Sequence, residues 1–215
     1  MSARQHVTHY LPMNHDQIFR AVLTVALLIF LPIGIYHRVK SQATREKLDR
    51  SQEGVFILAT LRPAAAGFWF GTFAWMINPA WLAWSSMPLP VWLRSVGVGM
   101  LATGLCLAVW TFRSLGPNLT DTVVTRKQHT LVLHGPYQWI RHPFYVSGAL
   151  LALSISLMAA NWFLLVTGVV LIGLLVVRTR VEEENLVARF GDGYRGYMER
   201  TGRFFPRSLA NRRGA

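Results

Sequence analysis

Two short runs hold most of the residues in this chain that are able to do polar chemistry. The first, Arg141-His142-Pro143-Phe144-Tyr145, sets a permanent cation, an imidazole and a phenol side by side. The second, Glu182-Glu183-Glu184, groups three carboxylates in a chain with only ten acidic residues. A helix starting at Pro143 would leave its first-turn N–H groups without intrahelical partners, and with Arg141 and His142 beside them these make an anion-binding corner. Carboxylates hold ammonium groups and hydroxyls, or accept a proton. Each run also has a plainer reading. Arg, His, Trp139 and Tyr145 all suit a membrane headgroup layer. Arg178 and Glu182, four apart on a helix, make an ordinary ion pair worth ~0.3–0.5 kcal/mol.

The elements that must position these runs are set by what lies between them. Pro143 to Val177 is a run of 35 residues without a charge. The whole chain of 215 residues is 52% hydrophobic and 15% charged, against about 25% charged in soluble domains. Uncharged runs long enough to cross ~30 Å of hydrocarbon account for the deficit. The reading is an all-α, polytopic membrane protein with about five transmembrane helices. The spans are Ile18–Tyr36, Val55–Ile77 and Val91–Phe112, then two short ones within 143–177 joined by a tight turn near Asn161 and Trp162. Arg62 and Pro63 interrupt the second hydrophobic block early. Gly191 stops the last helix, and Asp192 is placed to cap a cytoplasmic amphipathic helix carrying Tyr194 and Tyr197. The first span is too long for a signal-peptide core and lacks a small-residue cleavage site, so it is expected to be retained.

Loop charge orients the spans. Residues 37–54 carry five Lys/Arg, 113–142 four, and the tail from Arg178 nine, whereas the turns at 78–90 and around Asn161 carry none. Five spans place all three basic segments on the cytoplasmic side and the N-terminus opposite. The net charge of +12 is therefore read as a neighbour of anionic lipids, with no nucleic-acid motif beside it. Cys106 is the single cysteine, which excludes an intrachain disulfide and a Cys-based zinc site. The histidines of the first 17 residues lack enough carboxylates for a metal site, so no metal is expected. Residues 1–112 form an N-terminal region of three spans. Residues 113–215 form a C-terminal region of loop, hairpin 143–177, acidic helix and tail, all within one structural domain. A short hairpin brings its two ends together, so the cationic and acidic runs must meet in a polar pocket at the membrane surface. Such a pocket could take a water-soluble zwitterion from the cytoplasm and a lipid sideways from the bilayer.

The stretch "HTLVLHGPYQWIRHPFYVSG", followed after the hairpin by "EEENLVARFGDGYRGYMERTGRFFP", resembles the isoprenylcysteine carboxyl methyltransferase family. The resemblance covers Gln128 to Pro206. It implies a membrane-embedded enzyme using S-adenosylmethionine without a Rossmann domain, and no Gly-rich dinucleotide fingerprint is present. By motif matching, Gly135, Tyr137, Arg141, His142 and Tyr145 would line the cofactor site, with Glu182 and Glu183 closing it. His129 and Leu131 fall in the matching segment. Arg178 matches an arginine placed near the substrate carboxylate, which makes Arg178 and Glu183 the catalytic candidates. A carboxylate acceptor is already ionised and needs no general base, whereas an amine acceptor, as in phospholipid N-methylation, requires a glutamate to take a proton. Two other readings stay open: an NADPH-dependent membrane reductase, which also carries His-Pro-x-Tyr, and a non-catalytic membrane module with a lipid-facing tail.

Overall fold

The structure, a computed structural model, describes residues 14–42, 55–116 and 130–207. Its main elements in these segments are six helices: α1 (His15–Gln42), α2 (Val55–Ile77), α3 (Val91–Leu115), α4 (Pro143–Ala159), α5 (Trp162–Phe190) and α6 (Asp192–Arg200). Among the described residues, three stretches are long and apolar enough to cross a membrane, His15–Lys40, Val91–Leu115 and Trp162–Phe190. The protein is a polytopic, all-helical integral membrane protein. Pro63 does not end the second hydrophobic block, as α2 runs through it without a break.

Four helix ends meet at one end of the bundle. Arg20, in the second turn of α1, donates from Nε and Nη2 to the Met76 carbonyl (2.8 and 2.5 Å) and from Nη2 to that of Ile77 (2.8 Å). Arg94, in the first turn of α3, donates to the Met158 carbonyl near the end of α4 (2.9 and 2.6 Å) and pairs with Asp16 of α1 (2.5 Å). The last carbonyls of a helix have no intrahelical donor, and here arginines supply the missing bonds. α4 needs this most. Its 17 residues span only about 25 Å, short of the ~30 Å hydrocarbon layer.

The turn between α4 and α5 is pinned to the 78–90 connection. Ala160 adopts a left-handed conformation (φ 47°). Asn161 accepts from the Leu164 N–H at 3.1 Å and donates to Leu82 O (3.1 Å) and Ser85 Oγ (2.8 Å). One side chain thus caps α5 and ties two loops together. Trp81, Trp84, Trp92 and Trp162 are exposed around this end, as an interfacial aromatic belt requires.

The closest helix pair is α3 with α4, and glycine sets its spacing. A Cβ on Gly97 would lie 2.9 Å from the Ser154 carbonyl oxygen, and one on Gly104 would lie 3.3 Å from that of Ser147. Glycines seven apart on α3 therefore face serines seven apart on α4, the small-residue packing by which membrane helices approach without a hydrophobic driving force. Phe68, Trp75, Leu101, Ile155, Met158 and Leu164 fill the core around this contact. The opposite end of the bundle holds the start of α4, the overhang of α5, α6 and the segments 130–142 and 201–207.

Candidate active site at the mouth of the last hairpin

Two extended strips of backbone build the floor. Gly135 turns the chain with φ +65°, and its Cα sits so close to the end of α3 that a Cβ would lie 2.1 Å from Ser114 Oγ. After a short 3-10 turn over Gly135–Gln138, residues 139–142 run beside 201–203. Gly202 N–H donates to Trp139 O (3.3 Å), Arg141 N–H to Gly202 O (2.9 Å) and His142 N–H to Arg203 O (3.1 Å). Pro143 then opens α4, as its missing N–H allows.

α5 continues past its apolar part and presents its glutamates to this floor. Consecutive residues on a helix differ by about 100°, so Glu182 and Glu183 face different partners. Glu183 is 4% exposed. Its Oε1 accepts from Arg141 Nε (2.9 Å) and His142 Nε2 (3.1 Å), and its Oε2 is held by Arg203. Arg141 also donates to the carbonyls of Met198 (3.0 Å) and Thr201. Burial pushes the Glu183 carboxyl upward, but hydrogen bonds from His142, Arg203 and Arg141 outweigh it and hold the group well below the usual carboxylate range. Glu183 is thus an acceptor only. The hydrogen shared with His142 must sit on Nε2, so a neutral His142 presents the lone pair of Nδ1 on its other edge.

That edge looks toward Glu182, whose side chain is 30% exposed and whose Oε2 lies 4.0 Å from His142 Nδ1. The same oxygen accepts from the Tyr145 hydroxyl at 2.6 Å. Tyr137 is close by: burial and then the negative charge of Glu182 push its phenol well above 10. Its carbonyl accepts from the Tyr197 hydroxyl at 2.6 Å, which ties α6 to the floor. Burial, partly offset by Arg141, raises the Tyr197 phenol to about 12, so it stays a neutral donor. The result is a partly exposed edge rich in acceptors, backed by a buried ion-pair network. Acceptors of this kind suit a ligand that brings ammonium and hydroxyl donors.

Of the residues singled out from sequence, Tyr137, Arg141, His142, Tyr145, Glu182 and Glu183 come together. Arg178 stands one turn earlier on α5, electrostatically close to Tyr145. Gly135 is part of the floor through its turn and its contact with α3. Leu131 is half-buried at the start of the described segment, and His129 lies outside the described residues. Asp192 does not cap α6. The cap position is Gly191 (φ +55°), and Asp192 is an exposed first-turn residue paired with Arg195 at 2.7 Å. Sequence reasoning missed Arg203, although it lies inside the tail segment quoted for the resemblance. An arginine three residues past a helix end, beside Gly202, was the available signal.

Known proteins similar to this chain bear on the site. A family model described as phospholipid methyltransferase matches residues 92–193. Protein-S-isoprenylcysteine O-methyltransferase of Mus musculus is 33% identical over 123 residues, 54% of this chain and 42% of its own length. The Homo sapiens protein of that name is 31% identical over 120 residues, with the same shares. The chain thus spans less than half the length of these relatives. The cobalt-zinc-cadmium resistance protein CzcN of Cupriavidus metallidurans is 29% identical over 181 residues, 82% of this chain and 71% of its own. Among solved structures, that of the eukaryotic intramembrane Ras methyltransferase, isoprenylcysteine carboxyl methyltransferase, shares the fold with TM-score 0.53. It is 20% identical, covering 91% of this chain and 69% of that one. By sequence over about half its length the chain is similar to the protein-S-isoprenylcysteine O-methyltransferases, and over nine-tenths of it the chain shares the fold of the solved isoprenylcysteine carboxyl methyltransferase.

Proposed function

We propose that this protein is a membrane methyltransferase that moves a methyl group from S-adenosylmethionine to the carboxylate of a lipophilic acceptor of the isoprenylcysteine type. The observation that carries the reading is the meeting of His142, Tyr145 and Glu182 in one acceptor-rich edge, braced by Arg141 and Glu183. S-adenosylmethionine carries an ammonium, a sulfonium and ribose hydroxyls, the donors and cations such an edge holds. When bound, it supplies an electrophilic methyl for an in-line displacement. Tyr137, His142, Tyr145 and Glu182 would hold it, with Glu183 steadying His142 and Arg141 steadying Glu183.

A carboxylate acceptor asks no proton transfer of the protein, so catalysis reduces to positioning and exclusion of water. Arg178, at the point where α5 leaves its apolar stretch, would align the acceptor carboxylate by paired hydrogen bonds. Glu183 serves as a positioning residue; with both oxygens engaged and its carboxyl held low, it is a poor proton acceptor. That disfavours an amine acceptor unless Glu182 takes the proton. The shared end of α1, α2, α3 and α4 supports five spans, and the Lys/Arg excess of the loops at the other end favours the cytoplasmic side for the site. The acceptor enters from the bilayer, and the C-terminal region carries the activity.

The test is calorimetric binding of S-adenosylhomocysteine to the detergent-purified protein, with NADPH in parallel. It is followed by transfer of labelled methyl to an S-prenylated cysteine, to its carboxamide and to phosphatidylethanolamine. Binding of NADPH in place of S-adenosylhomocysteine would overturn the reading in favour of a reductase. Labelling of phosphatidylethanolamine alone would move the acceptor to the amine class.

A further inference from the structure

We propose that Arg203 is a positioning residue of the cofactor site, acting as a latch that fixes the plane of the Glu183 carboxylate and through it the orientation of His142. The proposal rests on the methyltransferase reading for its ligand, and it extends the site to a segment beyond the matched residues 92–193.

The geometry divides the Glu183 carboxylate unequally. Oε1 is shared by Arg141 Nε and His142 Nε2, both from the strip before α4, while Oε2 is held by Arg203 from the strip after α6. The terminal torsion of a glutamate is soft, with broad wells. Donors on Oε1 alone would leave the carboxylate free to swing about that torsion and trade its oxygens. A guanidinium on the second oxygen removes that freedom. Arg203 is itself fixed, because its carbonyl accepts the His142 N–H at 3.1 Å and the neighbouring Gly202 pairs with both Trp139 and Arg141. The ring of Phe204 lies 5.9 Å from that of His142 at 43°, so the same strap also limits tilting of the imidazole.

Held in this way, His142 keeps its hydrogen on Nε2 and turns the lone pair of Nδ1 toward Glu182 and the ligand side. Released, the ring can change tautomer or rotate, and an acceptor for the cofactor becomes a donor that repels it. Such outer partners tune a binding group without touching the ligand.

The test compares wild type with Arg203→Met, Arg203→Lys and the exposed control Arg195→Met. Nitrogen-15 shifts of histidine-labelled protein, recorded above pH 8 and assigned with His142→Gln, report the tautomer without any ligand. Calorimetry reports S-adenosylhomocysteine affinity. We expect the Nε2-protonated form in wild type and in Arg195→Met. Arg203→Met should show mixed tautomers and binding about tenfold weaker, with Arg203→Lys between the two. Either signal at its wild-type value in Arg203→Met overturns the proposal. If wild type binds no S-adenosylhomocysteine, the methyltransferase reading fails and the tautomer alone decides the latch. Should Arg203→Met not purify as folded protein, Arg203→Gln takes its place under the same criteria.

Discussion

Arg94 closes the C-terminal end of α4 by donating from two nitrogen atoms to the Met158 carbonyl, 64 residues away in the chain. Its guanidinium also lies 4.5 Å from the centre of the Phe19 ring and pairs with Asp16, so it joins α1, α3 and α4 at one point. Arg94→Leu leaves the Met158 carbonyl without its donors and Asp16 without its partner. Because Asp16 is more than a third exposed, most of the cost comes from the carbonyl, and the total should be about 2–3 kcal/mol. Thermal unfolding in detergent should show a clear fall in Tm, with S-adenosylhomocysteine affinity at low temperature unchanged. An unchanged Tm would mean that water or detergent satisfies that helix end.

Two glycines of α3 should respond oppositely to the same substitution. A methyl on Gly97 meets the Ser154 carbonyl oxygen at 2.9 Å and Met158 Cγ at 3.1 Å, whereas one on Gly99 meets nothing within 4 Å. Gly97→Ala must push α4 away from α3 and should cost about 1–3 kcal/mol. Gly99→Ala only removes backbone freedom and should gain up to about 1 kcal/mol. Paired melting curves decide it, and equal Tm values would show that the helices are not in close contact at Gly97.

The pattern that spaces α3 and α4 was present in the sequence as Gly97 and Gly104, yet only the facing Ser147 and Ser154 give it meaning. The same holds across the molecule. Helix positions, the hairpin and the stop at Gly191 were legible because uncharged run length and a turn residue are local properties. Tyr145, Glu182 and Glu183 were legible as a site because a short hairpin must bring its ends together. Arg20, Arg94 and Arg203 were not, since what each does depends on a carbonyl or carboxylate that no local pattern couples to it. The second span, read as Val55–Ile77 in spite of Arg62 and Pro63, coincides with α2, because uncharged run length outweighed a single internal proline.

Glu183 should leave a signature in the pH dependence of stability. Its carboxyl is held below its ordinary value of 4.5, so the native state binds this proton less readily than the unfolded chain. The stabilisation is fully present above about pH 4.5 and is lost as pH falls from there toward the lowered native value. Glu183→Gln cannot titrate and should flatten that part of the curve. Tm measured from pH 6 down to pH 3 checks it. A mutant profile as steep as wild type would assign the acid sensitivity to groups other than Glu183.

Arg178 separates cofactor holding from acceptor alignment. It lies on α5 one turn before Glu182, where the helix passes from its apolar stretch to its charged end, and under the proposed function an acceptor's carboxylate would meet it there. A guanidinium can hold a carboxylate through two parallel hydrogen bonds, and lysine offers a single point charge. Arg178→Lys should therefore leave S-adenosylhomocysteine affinity near wild type while lowering methyl transfer by about 10²-fold, the scale of a misaligned reacting atom. Were Arg178 only a helical partner of Glu182, lysine would preserve a pair worth about 0.3–0.5 kcal/mol and turnover would hardly change. The measurement is turnover of Arg178→Lys at saturating cofactor on a prenylated cysteine. The loss is expected in kcat rather than in cofactor affinity, because the bond from the Tyr145 hydroxyl to Glu182, 2.6 Å long, does not involve Arg178.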